Sequence, residues 1–481
     1  MTTTTLTRYS DFYVDGRWEP ASGQEWDDVR SPVTEQVLHT VRRSSSADVD
    51  RAVAAAKNAF PAFSRTTVAE RIELLERILE VYRNRKEEFA QALTLEIGAP
   101  ITLARGAQAG TGEGHLASAI EALRNQQLEE SRGDSLIIRE PAGVAALITP
   151  WNWPMNQIFT KVASALGAGC TVVFKPSEVA PLTGLLVAEI LDEVGLPAGV
   201  FNLVTGDGPS VGSLLTSHPD VNVVSFTGST RAGREITRAA ADTIKIVHLE
   251  LGGKSPDIIL DDADFAKAVD ACIEACFRNA GQSCSVTTRM LVPKKHAEEI
   301  IALAKEAAER YVVGDPAEET TTLGPIVNQR QFDHVQGLIQ QGIDEGARLV
   351  TGGTGLPDGI STGYYTRPTV FADVDSSMSI AREEIFGPVL SILTYESEDE
   401  AIEIANDSIY GLGASVQSSD PQRALAVARR IRSGHVYINQ QNSDYVSVPF
   451  GGWKQSGTGY EHSVWGIEGF QLIKAVLGIS G

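Results

Sequence analysis

Apolar and polar residues alternate around Asp15-Gly16 in Phe12-Tyr-Val-Asp-Gly-Arg-Trp18, which predicts a tight hairpin, and residues 11–42 read as short strands. Ser46-Ala-Asp-Val-Asp50 supplies capping residues for a helix whose apolar face spans 52–63. A long amphipathic stretch over 68–97 predicts one helix, ended by Gly98-Ala-Pro100. From Pro141 the pattern changes. Apolar runs at 143–149, 171–174, 201–204, 221–226 and 244–249 predict strands, with helices expected between them at 156–169, 181–194, 210–217 and 231–241. A second alternating block has strands at 257–260, 290–293, 349–351 and 389–395, and helices at 264–277, 295–310, 329–345, 398–406 and 421–431. Asp261 or Asp262 is expected to cap the first of these helices. Strand–helix alternation with short connections implies parallel sheets covered by helices. Two such blocks imply a cleft at the carboxyl ends of the strands.

A chain of 481 residues predicts two or three domains, and 42% hydrophobic with 21% charged residues describes a soluble globular protein. The formal net charge of −21 argues against a general nucleic-acid or anionic-membrane binder. The first residues lack an apolar signal-peptide core, and no apolar run is long enough to span a membrane, so a cytoplasmic protein is the expectation. Four cysteines do not make a disulfide framework. Cys170, Cys272 and Cys276 sit in apolar settings and read as small buried side chains. No C-x-x-C and no metal-ligand spacing of histidines occurs, so no metal is expected.

Cys284 stands apart, in the small polar loop Gly281-Gln-Ser-Cys-Ser285. A thiol can attack a carbonyl, and a carboxylate such as Glu250, in Leu249-Glu-Leu-Gly-Gly-Lys254, can activate the water that later releases the acyl group. No G-x-G-x-x-G follows a predicted strand; Gly206-Asp-Gly208-Pro-Ser-Val-Gly212 has one residue too many. The turn Phe226-Thr-Gly-Ser-Thr-Arg-Ala-Gly233 could place a pyrophosphate at a helix start, or be a plain tight turn. Lys175-Pro-Ser-Glu178 could hold a ribose, or carry solvated charges.

Together these segments resemble the NAD(P)-dependent aldehyde dehydrogenase superfamily, in family order and over nearly the whole chain. The match runs from Pro150-Trp-Asn-Trp-Pro154 through the segments at 175–178, 226–230, 249–254 and 281–284. It continues through Glu383-Glu-Ile-Phe-Gly-Pro-Val389 to Pro449-Phe-Gly-Gly-Trp-Lys-Gln-Ser-Gly457. The resemblance implies an α/β fold: a Rossmann-type NAD domain (1–120 and 142–252), an α/β catalytic domain (253–450), and a β oligomerisation arm with the C-terminal segment (121–141 and 451–481). A hairpin near 135–139 and a strand near 470–477 are expected in that arm, pairing with a neighbouring subunit. A homodimer or homotetramer follows, since projecting strand edges need cover.

The resemblance implies that Cys284 adds to an aldehyde carbon, with Asn152 and the Cys284 N–H forming an oxyanion hole. Hydride then passes to the nicotinamide and Glu250 activates water against the thioester. Lys175 and Glu178 resemble the pair that grips the adenosine ribose, which favours NAD over NADP. Ser229 matches a pyrophosphate contact, Glu384 a nicotinamide-ribose contact, and Phe386 a residue packed near the ring. Trp151, Ser177, Gly208, Phe226, Gly228 and Leu251 complete the expected cofactor set. Lys161 and Glu461 match a proton-relay pair, with a structural ion pair as the alternative.

The chain departs from the family pattern in places. Tyr460 precedes Glu461 where many relatives carry arginine. Gln157 replaces an apolar residue, and Arg278 stands where aromatics are common. With Trp153, Asp444 and Phe450 these are the expected substrate residues, and segment 439–445 the expected tunnel mouth. A polar aldehyde or semialdehyde whose far end meets Arg278 is one expectation; pairing of Arg278 with Asp444 or another acid is the other. The rival functions are a CoA-acylating aldehyde dehydrogenase, which usually lacks the glutamate found here as Glu250, an NAD-independent cysteine esterase, and a non-catalytic NAD-binding descendant.

Overall fold

The structure, a computed structural model, describes residues 10–440 and 445–479. Its larger sheet has eight strands in the spatial order Gly457–Thr458, Ile246–Glu250, Val223–Thr227, Val144–Ile148, Thr171–Lys175, Phe201–Leu203, Asp11–Val14 and Arg17–Pro20. The run from Ile246–Glu250 to Phe201–Leu203 is parallel throughout. Successive residues of these strands face opposite cores. Ala145, Leu147, Val172 and Phe174 pack on one side, and Val144, Ala146, Ile148 and Val173 on the other. Sheets covered on both faces need such unbroken apolar strands.

In chain order the parallel strands lie 5-4-1-2-3, so the winding reverses between Val144–Ile148 and Val223–Thr227. A ligand crevice opens at the carboxyl ends of strands at such a reversal. Here those ends lead into Thr149–Trp153 on one side and Gly228-Ser229 on the other.

A seven-stranded sheet carries the second core, in the order Arg348–Thr351, Thr369–Ala372, Val389–Tyr395, Thr287–Pro293, Ser255–Ile259, Gly413–Gln417 and His435–Ile438. All neighbours are parallel except the first pair. A three-stranded sheet joins the hairpin Glu129–Arg132 and Ser135–Pro141 to Gln471–Leu477, which runs antiparallel to Ser135–Pro141.

Local chemistry explains most element boundaries. The first hairpin turns through Asp15 at φ 50° and Gly16 at φ 75°, the left-handed pair that suits a two-residue loop. Ser45 and Thr67 each close a capping box, with Asp48 and Glu70 reaching back.

Two expectations need correcting, and one helical region is unanticipated. The stretch 68–97 is two helices, Val68–Asn84 and Lys86–Ile97, broken at Arg85 with φ −105° and ψ 8°. Both bury the same kind of apolar face, so the periodicity runs through the break. What distinguishes the junction is long-range: the Arg85 guanidinium donates to Glu88 and to Glu189 of helix Leu182–Glu193, both at 2.8 Å. The helix Phe265–Phe277 is capped by Asp264, not by Asp261 or Asp262, which instead bind Arg423. The region 101–125, without a sequence signal, is helical. It holds a π-turn at Ala104–Gln108 followed by Ala109–Asn125. Its glycines dilute the pattern, yet Gly112 is required: a Cβ there would lie 2.7 Å from the Tyr82 hydroxyl.

Candidate active site

Cys284 lies between the turn Arg278–Gly281 and strand Thr287–Pro293. The turn is strained in a defined way, with Asn279, Ala280 and Gly281 all left-handed at φ 55°, 55° and 73°. Only glycine fits at 281, where a Cβ would approach the Gly387 carbonyl oxygen to 2.1 Å. Burial pushes the Cys284 thiol well up, and the carboxylates of Glu250 and Glu384 push it further. The sulfur therefore rests protonated and needs a base to become a nucleophile.

Glu250 ends strand Ile246–Glu250 and is buried. Its Oε1 accepts from the Gly452 N–H at 3.2 Å, while Oε2 has no hydrogen-bond partner. Burial, then the charge of Glu461, raises its carboxyl well above the usual range. A carboxyl raised in this way is a stronger base than an ordinary carboxylate. Asn152 follows strand Val144–Ile148 and donates through Nδ2 to the Gln282 carbonyl at 3.0 Å. Trp153 donates from Nε1 to Ser283 Oγ at 2.6 Å, so both residues hold the nucleophile loop.

A cavity of about 490 Å³ connects Cys284 to the crevice. Cys284, Trp151, Asn152, Glu178, Gly228, Ser229, Leu251, Glu384 and Phe386 all line it. Ser229 caps helix Thr230–Ala240, accepting from the Ala232 N–H at 3.2 Å, so the helix N-terminus points at the cavity. Gly252 is needed here, because a Cβ would sit 2.2 Å from Glu384 Oε2. Glu384 Oε1 accepts from the Gly253 N–H at 3.0 Å. Burial pushes its carboxyl up to about 7, against the pull of that N–H and of Lys254. The Trp151 and Phe386 rings meet edge to face at 5.5 Å. An anion-favouring helix start, two carboxylates and an aromatic pair fit a dinucleotide.

Other residues sit behind that surface. Lys175 is buried, donates to the Gly206 and Pro176 carbonyls at 2.6 and 2.8 Å, and reaches Glu178 at 3.7 Å. Ser177 Oγ accepts from the Val179 N–H at 3.2 Å, a local turn. Gly208 opens a short π-turn that Asp207 caps, and Phe226 is buried under Gly228. Lys161 pairs with Glu461 in the interior and also donates to Ser225 Oγ at 3.1 Å. Gln157 is buried with Oε1 lacking a partner. Phe450 stacks between His435 and His462, each at 5.0 Å. Arg278 donates to Glu274 at 3.2 Å and lines a different cavity, of about 610 Å³. Asp444 lies outside the described residues.

Sequence reasoning missed the amides that hold the reactive groups: Gln108, Asn279 and Gln282. Asn279-Ala-Gly281 offered a signal, since asparagine before glycine marks left-handed backbone. Gln108 offered none.

The profile described as "Aldehyde dehydrogenase family" matches residues 18–476. A curated relative, the 3-succinoylsemialdehyde-pyridine dehydrogenase of a Pseudomonas species, is 50% identical over 474 residues, covering 98% of this chain and 99% of the relative. Among solved structures, a cysteine-to-alanine variant of aldehyde dehydrogenase C from Pseudomonas syringae, complexed with NAD+ and octanal, superposes with a TM-score of 0.97 at 51% identity. That match covers 98% of this chain and 97% of the other. An aldehyde dehydrogenase of Mycobacterium tuberculosis complexed with NAD+ gives 0.95 at 40% identity, covering 98% of both chains. The chain belongs to the aldehyde dehydrogenase family.

Proposed function

We propose that Cys284 is the nucleophile, Glu250 the base, and Asn152 with the Cys284 N–H the oxyanion donors of an NAD-linked aldehyde oxidation. The chain is an oxidoreductase that converts an aldehyde to its carboxylic acid with NAD as cofactor. The observation that carries the assignment of roles is that Cys284 opens into the same cavity as Asn152, Glu178, Glu384 and Phe386. Glu250 removes the thiol proton, sulfur bonds to the aldehyde carbon, and the carbonyl oxygen becomes an oxyanion facing Asn152 Nδ2. NAD, when bound beside this carbon, would supply the acceptor for its hydride. Glu250 passes its first proton on through Lys161 and Glu461, and the Cys284 thioester that remains is opened by a water whose proton then goes to Glu250. Cys284 then leaves as the thiolate.

Glu178, at the cavity wall, accepts from a ribose 2′-hydroxyl and repels a 2′-phosphate, which supports NAD over NADP. Ser229 and the N–H groups behind it take the pyrophosphate, and Glu384 the second ribose. Lys161 and Glu461 are proposed to pass protons away from Glu250, whose carboxyl feels both charges. Trp153, Gln157 and Phe450 are proposed around the acyl group. Arg278, on the wall of a second cavity of about 610 Å³, is proposed to meet a polar far end of the substrate.

The free edges of Gln471–Leu477 and His435–Ile438 suit pairing between subunits, and the exposed Leu472, Ile473 and Leu477 suit burial there. A homodimer or homotetramer follows. The four cysteines are free thiols, which supports a reducing, cytoplasmic setting. Residues 1–120 with 142–252 and residues 253–450 are proposed as the two domains around the crevice.

The test is an NADH-release screen over aliphatic, aromatic and carboxylated aldehydes. Cys284→Ala abolishes release, and Glu250→Gln slows both the first release of NADH and the steady state, by roughly 100- to 10,000-fold. An unchanged steady state in Glu250→Gln refutes its role. Loss of preference for succinic semialdehyde over hexanal in Arg278→Ala supports the polar end; an unchanged ratio rejects it.

A further inference from the structure

The oxyanion donor and the nucleophile loop are tied together by side-chain amides that the steps above leave unused. The Asn152 carbonyl accepts from Gln108 Nε2 at 3.0 Å and from Asn279 Nδ2 at 2.9 Å. Asn279 Nδ2 also reaches the Gln282 carbonyl at 3.4 Å, and Gln282 Nε2 donates back to the Asn279 carbonyl at 3.1 Å. Asn152 Nδ2 donates to that same Gln282 carbonyl at 3.0 Å. Gln282 Oε1 accepts from the Val327 N–H at 2.9 Å, and Val327 packs in a core of the larger sheet, which anchors the set there. All four side chains are buried, at 0% exposure for Gln108, 3% for Asn152, 4% for Asn279 and 1% for Gln282.

A primary amide has two N–H groups. Asn152 gives one to Gln282, which leaves one for the substrate oxygen. Its direction is set only when both the Asn152 side chain and its backbone are fixed. Gln282 fixes the side chain, and the amides of Gln108 and Asn279 fix the carbonyl from two different elements. Asn279 holds a left-handed φ of 55° that asparagine tolerates better than most residues, and the surrounding bonds keep it there.

We propose that Asn279, assisted from the opposite side by Gln108, is a positioning residue that aims the free Nδ2–H of Asn152 at the developing oxyanion. This rests on the oxyanion role given to Asn152. Asn279 does not line the cavity into which Cys284 opens.

Asn279→Gly keeps the left-handed backbone without strain and deletes the amide. Its first-turnover rate of NADH formation, at saturating NAD and aldehyde, is expected to fall roughly 10- to 100-fold. Alkylation of Cys284 by iodoacetamide develops no oxyanion, so its rate is expected to stay within about twofold of the parent, as is the Kd for NAD. In an Asn152→Ala background, Asn279→Gly is expected to add less than about twofold, because the donor it aims is gone. Gln108→Met, placed outside the nucleophile loop, is expected to slow the first turnover with alkylation intact, and it tests the clamp even where Asn279→Gly does not fold.

Losses that multiply in the double variant, or alkylation slowed in proportion to turnover, overturn the proposal by making Asn279 a mere support of the loop. A first turnover in Gln108→Met equal to that of the parent also counts against it. If Asn152→Ala leaves the first turnover untouched, the oxyanion role falls and the clamp with it. If Asn152→Ala is slow while Asn279→Gly is not, the clamp alone falls.

Discussion

Glu250 and Glu384 are both carboxyls raised by burial, and the difference between them lies in the neighbouring charges, since Glu461 raises the first further and Lys254 lowers the second. Glu250 keeps Oε2 without a partner, whereas Glu384 lies against the Gly252-Gly253 backbone and ends near 7. A group with a raised pKa loses its charge early as pH falls. Glu384 is ionised above about pH 7 and protonated below it, so its acceptor capacity for a ribose hydroxyl declines through that range. The Kd for NAD is therefore expected to rise as pH drops below about 7, and Glu384→Gln to flatten that dependence, as read by titrating intrinsic fluorescence at several pH values. At Gly281, alanine has to adopt a positive φ and displace the Gly387 carbonyl. Gly281→Ala is expected to cost more than about 1 kcal/mol of stability by denaturant unfolding, and to slow Cys284 alkylation as the loop moves.

Strand ends and helix starts are where this fold does its chemistry. Ile246–Glu250 delivers the proposed base, Val144–Ile148 leads to Asn152, and the start of Thr230–Ala240 faces the cavity. The helices behind them are tied by single residues. Arg71 of Val68–Asn84 is buried and donates to the carbonyls of Ala168 at 2.8 Å, Thr66 at 2.9 Å and Ser64 at 3.1 Å. The Ala168 carbonyl closes the end of helix Pro154–Ala168, which carries Lys161 and Gln157, while Ser64 and Thr66 lie in the link before Val68–Asn84. Arg71→Met leaves these carbonyls unsatisfied and is expected to lower stability by roughly 2–3 kcal/mol, seen as a lower urea midpoint with an unchanged slope.

Elements whose cause is local could be read from the chain. The Asp15-Gly16 turn and the apolar runs at 144–148 and 223–227 follow from turn chemistry and burial on both faces. The residues 284, 152, 178, 229, 384 and 386 that the motifs single out line one cavity. Features with distant causes could not be read. The break at Arg85 depends on Glu189, the glycine-diluted helix 109–125 on Tyr82 and Phe159, and the role of Gln108 on a carbonyl 44 positions away. Strand Gly413–Gln417 is short and carries Ser415 and Gln417, whose polar groups find partners only in the assembled sheet.

At the scale of the molecule, a net charge of −21 spreads repulsion over the surface, while the strand Gln471–Leu477 leaves Ile473 66% and Leu477 76% exposed. Apolar side chains on an open edge in so acidic a protein point to burial against another copy. Replacing both with lysine is expected to shift the mass measured by light scattering to that of one chain, with catalytic turnover per folded subunit as the control. The reacting groups are themselves divided. Asn152 and Glu250 hang from the larger sheet, while Cys284 precedes a strand of the other, and the chain passes between the sheets through Leu251–Lys254 and returns to the larger one at Gly457–Thr458. A slip of about 1 Å along that seam would silence the enzyme while each lobe stayed intact. In a rising urea series, turnover should thus fade well before circular dichroism changes, which makes activity a gauge of how the halves are seated.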